Sequence, residues 1–299
     1  MREKTDNLTI EKKYNKCFGK KSSHRIIYII LVGVMILFGI KYYIKYNQEN
    51  FEVNFYNISS SKLSEKLRIV YLTDLHEREY GIGNKKLLKN IENLNPDLIL
   101  CGGDFITYGD NDYAHVLEFY RKISEIAPVY AVMGNHEDAM VFIDNITDLP
   151  NEISETGVEL LRNQTKEITI GSNKIEITGL CGGEEQFELY GGRTHMDNLS
   201  CNSDCFRICI CHVPIVFPNC LSEYEFDLGL AGHTHGGIIR LPILGPLYSC
   251  EEGLFPKFAD GMKDINGKPL IISRGLGDSH KIPRINNMPE LVVIDMNCD

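Results

Sequence analysis

Positive charge is scarce over most of this 299-residue chain. Of 31 Lys/Arg and 41 Asp/Glu, ten and three fall in residues 1–45, which leaves 21 basic against 38 acidic residues beyond. So acidic a main body lacks the clustered basic groups that hold phosphate backbones, which argues against nucleic acid as a partner. A small phosphate substrate stays open, because bound divalent cations reverse the local sign. Alanine is missing before Ala114, so no alanine-like pair marks a cleaved export signal. The ten cysteines lack both the paired two-residue gaps of a zinc ribbon and the spacing of a small disulfide framework. Cys201, Cys205, Cys209 and Cys211 nonetheless cluster before His212. A structural zinc site there competes with a plainer reading, in which Cys209 and Cys211 are small apolar residues on one face of a strand.

What the chain does contain begins with residues 26–44, an apolar run interrupted only by Lys41. At 1.5 Å per residue it spans about 28 Å, close to a hydrocarbon core, and Lys41 can snorkel to the interface. A buried core helix would not explain an apolar surface on every side. Lys12, Lys13, Lys16, Lys20, Lys21 and Arg25 precede the run and only Lys41 and Lys45 follow, a bias that keeps the N-terminus cytoplasmic. The expected organisation is a basic cytoplasmic tail (1–25), an uncleaved transmembrane anchor (26–44), a connector (45–66) with a possible strand at 51–56, and an extracytoplasmic catalytic domain (67–299). The cysteine content fits that placement only if the exterior is reducing.

From residue 67 onward apolar strands alternate with helical patterns. Strands are expected at 67–72, 97–101 and 129–133, with helices at 85–94 and 113–126 between them. A hairpin follows at 167–170 and 174–178, then strands at 206–211, 227–231, 270–273 and 291–294. The pattern predicts an α/β fold: a mixed sheet or two-sheet sandwich flanked by helices.

The polar residues fall where these strands end. Asp74 and His76 follow the first strand, Gly103 and Asp104 the second, and Gly134, Asn135, His136 and Glu137 the third; later strands end in His212 and in Gly232, His233, Thr234, His235. Alone, His233 and His235 are as consistent with a half-buried pair as with metal ligands. Together, two carboxylates, an amide oxygen and four imidazoles converge beyond the strand ends, where open α/β sheets bind ligands. This donor set suits manganese, iron or zinc rather than calcium. Asp104 is the natural bridge between two ions, since a carboxylate can offer oxygens to both.

Those five ordered blocks resemble the signature of the calcineurin-like metallophosphoesterases, over roughly residues 65–299. The glycines after His235 and the tail from Ser273 to Gly277 look like the subgroup with an N-terminal membrane anchor or export signal. The resemblance implies the family's four-layer fold and two divalent ions (Mn, Fe or Zn). Asp74, His76 and His235 would hold one ion, Asn135, His212 and His233 the other, and Asp104 both. It also implies in-line attack of a metal-activated water on phosphorus. His136 would donate a proton or hydrogen bond to the transition state, unless its role is purely structural. Met133 stands where the Ser/Thr phosphatases have arginine, and Thr107 where purple acid phosphatases have a ligand tyrosine, so both subgroups lose ground.

Arg274, His280 and Arg284 could reach a substrate phosphate; alternatively the two arginines are solvated or salt-bridged. The resulting expectation is a membrane-anchored phosphohydrolase acting on a phosphomonoester, phosphodiester or pyrophosphate, with a lipid-linked or envelope substrate favoured by the anchor. A non-catalytic membrane scaffold or receptor retaining the metal fold is the alternative.

Overall fold

The structure, a computed structural model, describes residues 2–298 apart from 111, 201–203, 238, 250–251 and 279–283, with side chains from residue 25 onward. The chain divides into two compact units at residues 46 and 47. The first is occupied by α1, a single helix whose span Arg2–Glu49 runs into the second unit. Its segment Arg25–Glu49 is long and apolar enough to cross a membrane and is not buried within the protein, so its isoleucines, leucines and tyrosines have no core to enter.

The second unit is built on two six-stranded sheets. The first sheet has the order β1 (Glu52–Ser60), β15 (Glu290–Cys298), β2 (Leu67–Leu72), β3 (Leu98–Cys101), β4 (Val129–Ala131) and β5 (Glu159–Leu160). β2 to β5 are mutually parallel, β15 is antiparallel to β2, and β1 pairs in parallel with β15. The possible strand expected at 51–56 within the connector is thus an edge strand of this sheet, extended to residues 52–60. The second sheet has the order β13 (Gly261–Ile265), β14 (Lys268–Ile272), β9 (Leu228–Ala231), β8 (Phe206–Cys211), β7 (Asn173–Leu180) and β6 (Gln164–Ile170). A small third sheet, β10 (Ile239–Leu241), β11 (Gly245–Ser249) and β12 (Gly253–Leu254), had no counterpart among the expected strands.

Strand alternation sorts side chains into layers. In β2, Ile69 and Tyr71 face the second sheet while Val70 and Leu72 face helices; β3 repeats this with Leu98 and Leu100 against Ile99 and Cys101. Opposite them, Ile208 and Ile210 of β8 and Leu228 and Leu230 of β9 complete the core between the sheets. Each such fully buried aliphatic side chain contributes about 1.5–3 kcal/mol of transfer free energy. The outer face of the first sheet is covered by α2 (Lys85–Leu94), α3 (Ala114–Ser124), α4 (Asn135–Phe142) and α5 (Leu149–Ser154). In α3 the residues Val116, Phe119, Tyr120 and Ile123 recur at the spacing of one helix face. α6 (Glu184–Leu189) and α7 (Gly192–Asn198) cover the second sheet through Phe187 and Met196. The result is a helix–sheet–sheet–helix sandwich. Cys209 and Cys211 point into that last layer, as buried, unpaired apolar residues on one face of β8; Cys201 lies outside the described residues.

Candidate metal centre

The ends of β2, β3, β4, β8 and β9 meet at one side of the sandwich, and the chain leaves these strands in an unusual conformation. Asp74, His76, Asp104, His233 and His235 all have positive φ, between 45° and 71°. Non-glycine residues adopt this region rarely and at some cost, which here turns successive strand-end side chains toward one point. Such close convergence leaves no room for a Cβ at two neighbours. One on Gly103, whose φ is 93°, would collide with the Gly134 backbone, and one on Gly232 with the Asp74 carboxylate.

Three triads have donor atoms within 4.8 Å of one another: Asp74, His76 and His235; Asp104, His212 and His233; and His76, Asp104 and His136. Their hydrogen bonds fix which nitrogens face inward. His212 Nδ1 lies 2.7 Å from the Gly102 carbonyl, which can only accept, so Nδ1 carries the proton. Nε2 then points at Asp104 Oδ2, 2.9 Å away, and Asp74 Oδ1, 3.8 Å away. A lone pair and a carboxylate oxygen this close need a cation between them, a proton or a metal. His76 Nδ1 lies 3.2 Å from the Thr107 hydroxyl, and its Nε2 is buried without a hydrogen-bond partner, as is Asn135 Oδ1. Buried polar atoms are seldom left so. The residues therefore fit divalent cations, with backbone and hydroxyl groups orienting the rings from behind.

His136 has the opposite tautomer. Its Nδ1 accepts the Tyr108 backbone N–H at 2.8 Å, so Nε2 bears the proton, and this edge is partly exposed, 4.0 Å from Asp104 Oδ2. Asp104 is held in turn, its Oδ1 accepting the His136 backbone N–H at 2.9 Å. Asp74 accepts the Thr73 hydroxyl at 2.8 Å and the His233 N–H at 3.0 Å.

Burial dominates the electrostatics. It pushes His76 down to about 3 and, joined by the Arg284 guanidinium, His235 well below its ordinary value. Both rings are thereby kept neutral, as metal ligands must be. Burial also opposes charge at His212 and Asp104, but there it loses: Asp104 and Asp74 lift His212 to about 10, and His212 and His76 hold Asp104 well below the usual carboxylate range. One positive charge already belongs at this point of the site.

Six of the seven expected ligands, Asp74, His76, Asp104, His212, His233 and His235, lie in these triads together with His136, and Asn135 lines a cavity that His233 also lines. The arginines differ. Arg274, expected either to reach substrate phosphate or to be salt-bridged, takes the second course: its Nη2 lies 3.0 Å from Glu290 and 2.9 Å from Glu52. With both carboxylates engaged, its charge is neutralised inside the fold. Arg284 is buried with Nη2 3.1 Å from His235 Nδ1 and also bonded to the Gly277 carbonyl, which places it behind a candidate ligand. His280 lies outside the described residues. Sequence reasoning missed Thr107 and Tyr108, the loop residues that orient His76 and His136. It also gave no role to Glu137, whose carboxylate accepts the backbone N–H groups of Asp104, Phe105, Ile106 and Gly134 at 2.7–2.9 Å. Burial and Asp104 raise that carboxyl to about 7 while the amides pull it back.

A two-sheet sandwich whose strand ends gather carboxylates and imidazoles around shared positions is the architecture of a metal-dependent hydrolase. Residues 67–237 match the calcineurin-like phosphoesterases, and the chain belongs to that family. It is a metal-dependent phosphoesterase domain of the kind that works with two divalent ions. It is 25% identical over 233 residues to phosphodiesterase YaeI of Escherichia coli, covering 77% of this chain and 82% of that protein. The metallophosphoesterase YkuE of Bacillus subtilis is 29% identical over 236 residues, covering 77% and 78%. UDP-2,3-diacylglucosamine pyrophosphatase LpxG of Chlamydia muridarum is 24% identical over 284 residues, covering 76% and 83%.

Proposed function

We propose that this chain is a membrane-anchored phosphohydrolase cleaving a phosphomonoester, phosphodiester or pyrophosphate bond in a lipid-linked or cell-envelope substrate. The observation that carries the reading is the convergence of His76, His212, His233 and His235 on the buried carboxylates Asp74 and Asp104, with His76 Nε2 buried and unpartnered among them. Asp74, His76 and His235 would hold one ion, Asn135, His212 and His233 the other, and Asp104 would serve both. The bound ions supply Lewis acidity toward the phosphoryl group and a nucleophile from water at neutral pH. His136 presents Nε2–H to the phosphate or leaving oxygen, with the Tyr108 N–H keeping the ring in that tautomer.

The substrate class is supported by two relatives, one named a phosphodiesterase and one a pyrophosphatase of a diacylated sugar nucleotide. The apolar segment Arg25–Glu49 supports anchoring. The basic residues before it and their paucity after it support a cytoplasmic N-terminus with residues 67–299 outside.

Full-length protein in detergent, loaded with manganese, is expected to hydrolyse chromogenic mono- or diesters. His136→Ala should lower kcat by on the order of 10²–10⁴-fold while retaining its metal. A wild type inactive across metals and a broad substrate panel would instead favour the scaffold. Topology is tested separately: protease added to intact cells should cut the main domain, and protection until lysis would reverse the orientation.

A further inference from the structure

Beside the candidate metal centre lies a cavity of about 350 Å³ that the chemistry at phosphorus does not require. Asn135 and His233 form the edge it shares with the centre, and Ala139, Ile143, Tyr190 and Val213 line its walls. The Tyr190 ring is stacked on Phe142, centroids 4.3 Å apart, which fixes it as a wall. Ile143 is 66% exposed, an apolar side chain left at the rim. Ligand pockets of this size, mostly apolar with a few placed polar atoms, begin at roughly 300 Å³.

Asp138 carries one such atom. Asp138, which also lines the cavity, is only 4% exposed. Its Oδ2 accepts the Gly182 N–H at 3.0 Å, whereas its Oδ1 is buried without a hydrogen-bond partner. The nearby Gln186 carbonyl oxygen already accepts the Gly183 N–H at 3.2 Å. A buried, unpartnered carboxylate oxygen on a residue that lines an apolar cavity is a place where a donor is missing.

We propose that this cavity is the subsite for the organic group attached to the scissile phosphate, and that it selects a small apolar moiety carrying a hydrogen-bond donor for Asp138. This rests on the phosphohydrolase reading and narrows its substrate: a phosphate whose first substituent is a bare sugar would leave the apolar walls uncovered, and a plain alkyl group would leave Oδ1 unpaired. Asp138 and Ala139 come from α4, the helix that also carries Asn135 and His136, and Ile143 is its C-cap residue. Subsite and reacting centre therefore share one rigid support.

Non-hydrolysable probes test the subsite without turnover. Calorimetric titration of the manganese-loaded full chain should show phenylphosphonate binding at least about tenfold tighter than methylphosphonate, from the added apolar area buried. Aminomethyl-substituted phenylphosphonate, whose ammonium can only donate, should bind tighter still. In Ala139→Phe, which fills the cavity, and in Ile143→Asp, at an exposed position where folding is not at stake, the phenyl preference should collapse to within about twofold. Asp138→Asn, which keeps an oxygen for Gly182 and turns an NH₂ toward the cavity, should remove the aminomethyl gain alone. Equal binding of phenyl- and methylphosphonate by wild type, or a preference surviving both wall variants, overturns the subsite. Hydrolysis of phosphoesters by such a wild type would leave the general function standing, whereas failure to bind either phosphonate or to hydrolyse any ester overturns both.

Discussion

Glu137→Ala is expected to cost the main domain about 4–6 kcal/mol, enough to consume most of the 5–15 kcal/mol by which such domains are stable. The side chain is buried, and its two oxygens accept four backbone N–H groups, two each, from Asp104 and Gly134 and from Phe105 and Ile106. Each buried amide left without an acceptor costs about 1–3 kcal/mol. The sum is reduced because the carboxylate is itself costly to bury, as its pKa near 7 records. Glu137→Gln keeps one acceptor but turns an NH₂ against two N–H donors, so about half the loss is expected. Urea unfolding of the metal-free full chain, followed by circular dichroism, measures both. A Glu137→Ala variant within about 0.5 kcal/mol of wild type would show that water replaces the carboxylate in this pocket.

That role explains what in this chain could be read in advance and what could not. Strands with continuous apolar runs were legible: β2 and β8 and the helix α2 fall at the expected 67–72, 206–211 and 85–94. The clustering of Asp74, His76, Asp104, His212, His233 and His235 was legible for a related reason, since hydrophilic residues immediately after buried strands have few structural uses. Pairings distant in sequence were not. β1 lies against β15, with Glu52 opposite Glu290, and no local pattern announces a partner so far along the chain. The same pairing brings both acids to Arg274 and so removes that arginine from the substrate side. Nor does a sequence reveal that five ligand candidates sit at positive φ, because aspartate and histidine tolerate that region without requiring it. β10 to β12 escaped for want of alternation: Ile243 and Leu244, at the turn between the first two, are exposed apolar residues.

Asp104→Asn is the substitution expected to damage catalysis most. The change is isosteric, and the remaining oxygen can still accept the His136 N–H, so the fold should survive it. What is lost is a negative charge at the point where the two proposed ion positions meet, 2.9 Å from His212 Nε2 and 3.9 Å from His76 Nε2. A neutral amide oxygen cannot bridge two divalent ions against their mutual repulsion, so a fall in kcat/KM on the order of 10³–10⁵ is expected. Elemental analysis should find fewer than two ions per chain. The melting-temperature rise on adding manganese should also shrink; saturating wild type at 100 times its Kd corresponds to about 2.7 kcal/mol of stabilisation. His233→Ala and His235→Ala provide the contrast. Their side chains fall in different triads, His233 with Asp104 and His212, His235 with Asp74 and His76. Each variant should therefore weaken a different ion and keep the other, while Asp104→Asn weakens both. Loss of the same ion from both histidine variants would refute this division of ligands, and full metal content with full activity in Asp104→Asn would remove Asp104 from the bridge.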